Sequence, residues 1–102
     1  MQISREELIL YLQCLNEVLR GFAVENFERR LGVSKAELTK EDARLREIEK
    51  SARNGGSIPD VHVRAAVINA TIEELGESEF QTRTGFELPE AQRFLERLNQ
   101  TL

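Results

Sequence analysis

Cysteine is almost missing from this chain. Cys14 stands alone, so no internal disulfide can form. Histidine is equally scarce: His62 is the only one, near a helix start, with no cysteine or second histidine beside it. One cysteine and one histidine offer no starting point for a zinc site or for a nucleophile–histidine–carboxylate arrangement. The expectation is a non-enzymatic protein with no metal and no cofactor. No apolar run approaches the roughly 18 residues of a membrane span. The opening Met1-Gln2-Ile3-Ser4-Arg5-Glu6-Glu7 lacks the basic-then-apolar order of a signal peptide, so a cytoplasmic location is the default expectation. Nor does any segment sustain an apolar–polar alternation, and no Asn-Gly or Asp-Gly hairpin lies between apolar runs, which argues against a sheet.

What is present is the composition of a folded globular chain: 102 residues, 40% hydrophobic and 31% charged. That length predicts a single domain over residues 1–102. The net charge of −4 is a poor match to phosphates, which want clustered Lys and Arg. It suits a basic protein partner, and it also serves plain solubility.

Helical grammar covers the chain. Ser4 and Glu7 fit a capping box, followed by Leu8, Leu12, Leu15, Leu19 and Phe22 at helical spacing. Ile9 and Leu10 spread apolar surface around this helix, which marks it as central, and Gly21 is a plausible stop. Val24 to Leu31 read as a short second helix closed by Gly32. Ser34 and Glu37 form a second capping box, opening a third helix to about Ala52. Arg53-Asn54-Gly55-Gly56 is a linker, since adjacent glycines carry too much backbone entropy for a helix interior. Ser57 caps the next helix, with Pro59 tolerated in its first turn, and Gly76 ends it. A short helix centred on Phe80 runs from Glu79 to Thr84, Gly85 stops it, and Pro89 opens the last helix.

The landmarks repeat. A shift of 53 residues lays Ser4 on Ser57, Asn16 on Asn69, Phe27 on Phe80, Arg30 on Arg83, Gly32 on Gly85 and Leu45 on Leu98 without a gap. The fold class expected is all-α: a tandem duplication of a three-helix unit, 4–52 and 57–102, joined by the linker 53–56 and closed into one pseudo-twofold helical domain. Three helices rarely bury their own apolar faces, so the two units would share one core.

Several polar residues stand out against this pattern. Asn16 and Asn69 lie mid-helix, where asparagine needs a bonding partner; the turn after Phe27 or Phe80 is the expected one, a paired recognition site the other reading. Arg30 and Arg83 are placed to bond carbonyls at the C-terminus of their own helix, or to form two symmetry-related cationic points. Glu41 and Asp42 depart most from the repeat, because their counterparts are the apolar Phe94 and Leu95. Either that helix is a plain solvated face, or Glu37, Glu41 and Asp42 form an acidic edge that meets a basic partner. Cys14 reads as a small core side chain.

The segment Phe27-Glu28-Arg29-Arg30-Leu31-Gly32-Val33-Ser34-Lys35-Ala36-Glu37-Leu38 resembles a helix-turn-helix DNA-binding segment through its Leu-Gly-Val-Ser turn. Such a resemblance implies a DNA-binding regulator, with the helix after Ser34 as its reading element; Glu37, Glu41 and Asp42 on that helix would repel phosphates. The longer string Leu15-Asn16-Glu17-Val18-Leu19-Arg20-Gly21, with Phe27-x-x-Arg30-x-Gly32-Val33, is similar to small uncharacterised bacterial all-helical proteins. In size and acidity the chain also resembles immunity proteins, which act by binding a toxin. The leading expectation is therefore a protein-binding module of the immunity or adaptor kind that occludes a basic surface. A helix-turn-helix-like DNA-binding regulator is the alternative.

Overall fold

The computed structural model describes residues 2–51, 56–57 and 61–101. It is all-α, apart from a two-residue antiparallel ladder of β1 (Gln2–Ile3) with β2 (Gly56–Ser57). The helices are α1 (Arg5–Asn16), α2 (Phe27–Leu31), α3 (Lys35–Ser51), α4 (Val61–Thr84) and α5 (Leu88–Thr101).

Local chemistry sets most boundaries. The Ser4 hydroxyl accepts from the Glu7 amide at 3.0 Å, and the Glu7 carboxylate accepts from the Ser4 amide at 2.9 Å. That reciprocal pair fixes the start of α1. At its far end α1 widens into a π turn over Glu17–Gly21, after which Phe22 is extended. The second helix is shorter than its apolar residues suggest. Asn26 adopts the left-handed conformation (φ 51°), so α2 starts at Phe27 rather than Val24. Gly32 and Gly85 take the same left-handed conformation, with φ of 80° and 81°, and each ends the helix before it. Ser34 accepts from the Glu37 amide at 3.2 Å at the start of α3. Within α4 the helix breaks at Gly76 (φ 70°, ψ −179°) and resumes directly, earlier than Glu79. The expected linker residues 53–55, the expected Pro59 turn and the junction 58–60 lie outside the described residues.

The core lies between α1 and α4. Leu8, Leu10, Tyr11, Leu12, Cys14, Leu15, Val18 and Leu19 are buried around nearly the whole of α1. Val63, Ala65, Val67, Ile68 and Ala70 answer from α4. Helix α3 covers α1 with Leu38 and Leu45; α5 covers α4 with Ala91, Phe94 and Leu98. Leu38 and Ala91, Leu45 and Leu98, Leu15 and Ile68 are 53 apart, and all six are buried.

The arginines expected to cap their own helices reach across instead. Arg30 on α2 pairs with Glu73 at 3.0 Å and Glu74 at 3.2 Å, both on α4. Arg83 on α4 approaches Glu17 at 2.7 Å and donates to the Gly21 carbonyl at 3.0 Å, both at the end of α1. Position 30 thus touches 74 while position 83 touches 21, which is the same contact with the halves exchanged. Asn16 and Asn69 bond neither to those turns nor to each other. Asn16 accepts from Arg20 at 3.1 Å, and Asn69 donates to Glu73 at 3.0 Å, each one turn along its own helix.

Candidate functional site

Of the three carboxylates expected to form an acidic edge, only Glu37 is exposed. Glu41 and Asp42 lie inward, each engaged by arginine. Arg64 places Nη2 2.8 Å and Nε 3.2 Å from Glu41 Oε1, with side-chain exposures of 1% and 18%. The Arg64 guanidinium also sits over the Tyr11 ring, 5.0 Å from its centre. Asp42, 4% exposed, accepts from Arg20 at 3.2 Å and from Arg46 at 3.1 Å. The two carboxylates therefore serve as counter-ions to this chain's own cations. The face α3 turns outward carries Lys35, Lys40, Arg44 and Lys50 with Glu37 and Glu47, a more basic surface than the linear pattern suggests.

Cys14 is fully buried, and burial pushes its thiol up to about 12. The Glu17 charge adds to the rise, while a hydrogen bond with Thr71 opposes it. A thiol held protonated this firmly is a packing group and no nucleophile at neutral pH. His62 is exposed, and among the described residues no three His, Cys, Asp or Glu side chains converge in a way that could hold a metal ion. None of the described helices is long and apolar enough to cross a membrane.

A concavity lies between the start of α1 and α5. It offers about 290 Å³ and is lined by Ser4, Glu6, Glu7, Leu10, Phe86, Glu90, Arg93, Phe94 and Arg97. Leu10 and Phe94 are buried at its floor, and Phe86 is half-buried in its wall. The wall is held in place by Thr84, whose hydroxyl donates to the Phe80 carbonyl at 2.7 Å and accepts from the Phe86 amide at 3.2 Å. Gly85 supplies the left-handed turn between them. Glu7 is ion-paired with Arg97. Glu6 and Glu90 are exposed and carry no ion pair among the described residues. Sequence patterning missed this cleft because its two walls lie some eighty residues apart in the chain. The available cue was Phe86, an aromatic residue placed directly after a helix-ending glycine.

The shift of 53 connects this cleft to the anticipated acidic edge. Glu37 corresponds to Glu90, and Glu41 to Phe94. At that level one half carries an internal ion pair and the other carries the phenylalanine that floors an open cleft. Compared with protein-family models, curated proteins and solved structures, the chain matches none of them.

Proposed function

We propose that this chain is a non-enzymatic protein-binding module, of the immunity or adaptor kind, that covers a basic surface on its partner. The observation that carries this reading is the distribution of charge between the halves. Residues 57–102 hold eight Asp and Glu against four Arg. Three of those arginines, Arg64, Arg83 and Arg97, are paired with carboxylates of the first half. Glu77, Glu79, Glu87, Glu90 and Glu96 remain exposed, with no ion pair among the described residues. Acid left over on one half attracts a basic partner and speeds its approach. Glu37 extends the acidic positions to the first half, whereas Glu41 and Asp42 contribute through the arginines they hold.

The chain itself we read as a tandem duplication of a three-helix unit. The reciprocal contacts of Arg30 and Arg83 support this. So does the register of the ladder, in which Ile3 faces Gly56, its own counterpart under the shift of 53. A contact between equivalent positions is what a twofold axis demands.

The second reading, a helix-turn-helix-like DNA-binding regulator, draws on the outward basic residues of α3, since the inward turn of Glu41 and Asp42 relieves the repulsion they would exert on phosphates.

The test is a pull-down from host lysate with the tagged chain, reading protein and nucleic acid together. A stoichiometric basic protein, lost when Glu77, Glu79, Glu87 and Glu90 become Gln, is the expected result. Salt-sensitive nucleic acid without a protein would move the function to the α3 face. Recovery of neither would overturn both readings.

A further inference from the structure

The cleft between α1 and α5 combines groups that suit one kind of side chain. Its floor and wall are apolar: Leu10, Phe94 and Phe86. Its rim is mixed, but the charges do not cancel. Arg97 is already neutralised by Glu7, which leaves Glu6 and Glu90 facing Arg93 alone. The room, about 290 Å³, falls at the bottom of the range of roughly 300–1,000 Å³ typical for whole small molecules. It is the size of an anchor pocket for a single side chain.

We propose that this cleft receives an arginine side chain from a partner polypeptide. The aliphatic stem lies along Leu10 and Phe94, the guanidinium rests against the Phe86 ring, and Glu6 and Glu90 accept its hydrogen bonds. A long cationic side chain buries its methylenes while its head stays polar, and a guanidinium favours an aromatic face beside a carboxylate. The chain already solves the same problem internally. Arg64 lies 5.0 Å above the Tyr11 ring with its charge on Glu41. The cleft offers that same pairing of ring and carboxylate, open to the outside. Because Thr84 fixes the Phe86 backbone, the wall stands ready without reorganisation. The assignment rests on the basic-partner reading above and gives that partner's contact a definite residue type.

The experiment is a titration of the full, isotope-labelled chain followed by amide NMR shifts. The probes are acetylated and amidated tripeptides with alanine at both ends and arginine, norleucine or phenylalanine in the middle. The expected result is saturable shifts at Leu10, Phe86 and Glu90 for the arginine peptide, with a dissociation constant on the order of 1–10 mM at low salt. The norleucine and phenylalanine peptides should bind at least several-fold more weakly. In the double variant E6Q/E90Q the arginine preference should vanish. Both substitutions are isosteric and at exposed positions, and an unchanged spectrum verifies the fold; if it changes, Phe86→Leu, which removes the ring alone, takes its place and should weaken the arginine peptide several-fold. No saturable shift at the cleft up to about ten times that dissociation constant, or an uncharged peptide binding equally well, or an unaffected variant, overturns the proposal. The pull-down keeps the two readings apart. A protein partner that E6Q/E90Q still captures at full strength removes the arginine pocket and leaves the binding module intact.

Discussion

Glu41 and Arg64 show how much depends on which side of a helix a charge faces. Arg64 is among the most deeply buried side chains here, and Glu41 is its ion-pair partner among the described residues. Removing one member of a buried pair leaves an uncompensated charge, whereas replacing both with apolar groups is often neutral. Glu41→Leu should therefore lower stability by about 3 kcal/mol. Adding Arg64→Met should recover most of that loss in chemical denaturation. Cys14 gives a second prediction at this scale. Its thiol is raised from 9.0 to about 12, so the folded state holds a proton that the unfolded state releases over that interval. Its stabilising contribution is complete below pH 9 and is lost as pH climbs toward 12. Between these limits the wild type should lose stability faster than Cys14→Ala, by roughly 1.4 kcal/mol per pH unit. Comparing the two proteins' denaturation curves across the alkaline range isolates the thiol from other groups that titrate there.

Among the elements, the backbone specials decide where helices stop. Gly76 has φ 70° and ψ −179°, a region that is nearly glycine-only. A Cβ there would meet nothing within 4 Å, so any penalty is conformational rather than steric. Gly76→Ala should cost about 1–3 kcal/mol in thermal or urea unfolding. Gly21 is the opposite case. A Cβ there would lie 2.6 Å from Glu17 Oε1 and 2.8 Å from Arg83 Nη2, so Gly21→Ala should push the pair apart and loosen the π turn. These stops were legible because glycine, Ser4 and Ser34 act through their immediate neighbours. The start of α2 was less legible: asparagine tolerates the left-handed conformation that Asn26 adopts, but the apolar Val24 before it extends the helical pattern. The inward turn of Glu41 and Asp42 was equally hidden. Arg46 lies one helical turn from Asp42, but Arg20 and Arg64 come from more than twenty residues away in either direction, and a local periodicity reads only the missing hydrophobe. The cleft was beyond reach for the same reason: Leu10 and Phe86 meet only once the helices have packed.

For the whole molecule, the ion pairs of Arg30 and Arg83 tie the first half of the chain to the second, and the two should differ in strength. Glu17 is 7% exposed and its Oε1 accepts no well-aligned hydrogen bond, so it depends on the Arg83 charge. Glu73 and Glu74 are well exposed and keep their water when Arg30 is removed. Arg83→Met should therefore destabilise by roughly 2–3 kcal/mol, while Arg30→Met should fall under about 1 kcal/mol. Equal effects in urea denaturation would contradict that account. The halves also differ at Glu41 and Phe94, the first held in an ion pair with Arg64 and the second flooring a cleft. A symmetric dimer of identical units would be obliged to offer two such recesses. Two units fused in one chain, as we propose, are free to differ, and the cleft floored by Phe94 needs no copy. Under the proposed function the consequence is stoichiometric: a chain with a single asymmetric cleft would mask its target one to one, without bridging two targets into a larger assembly.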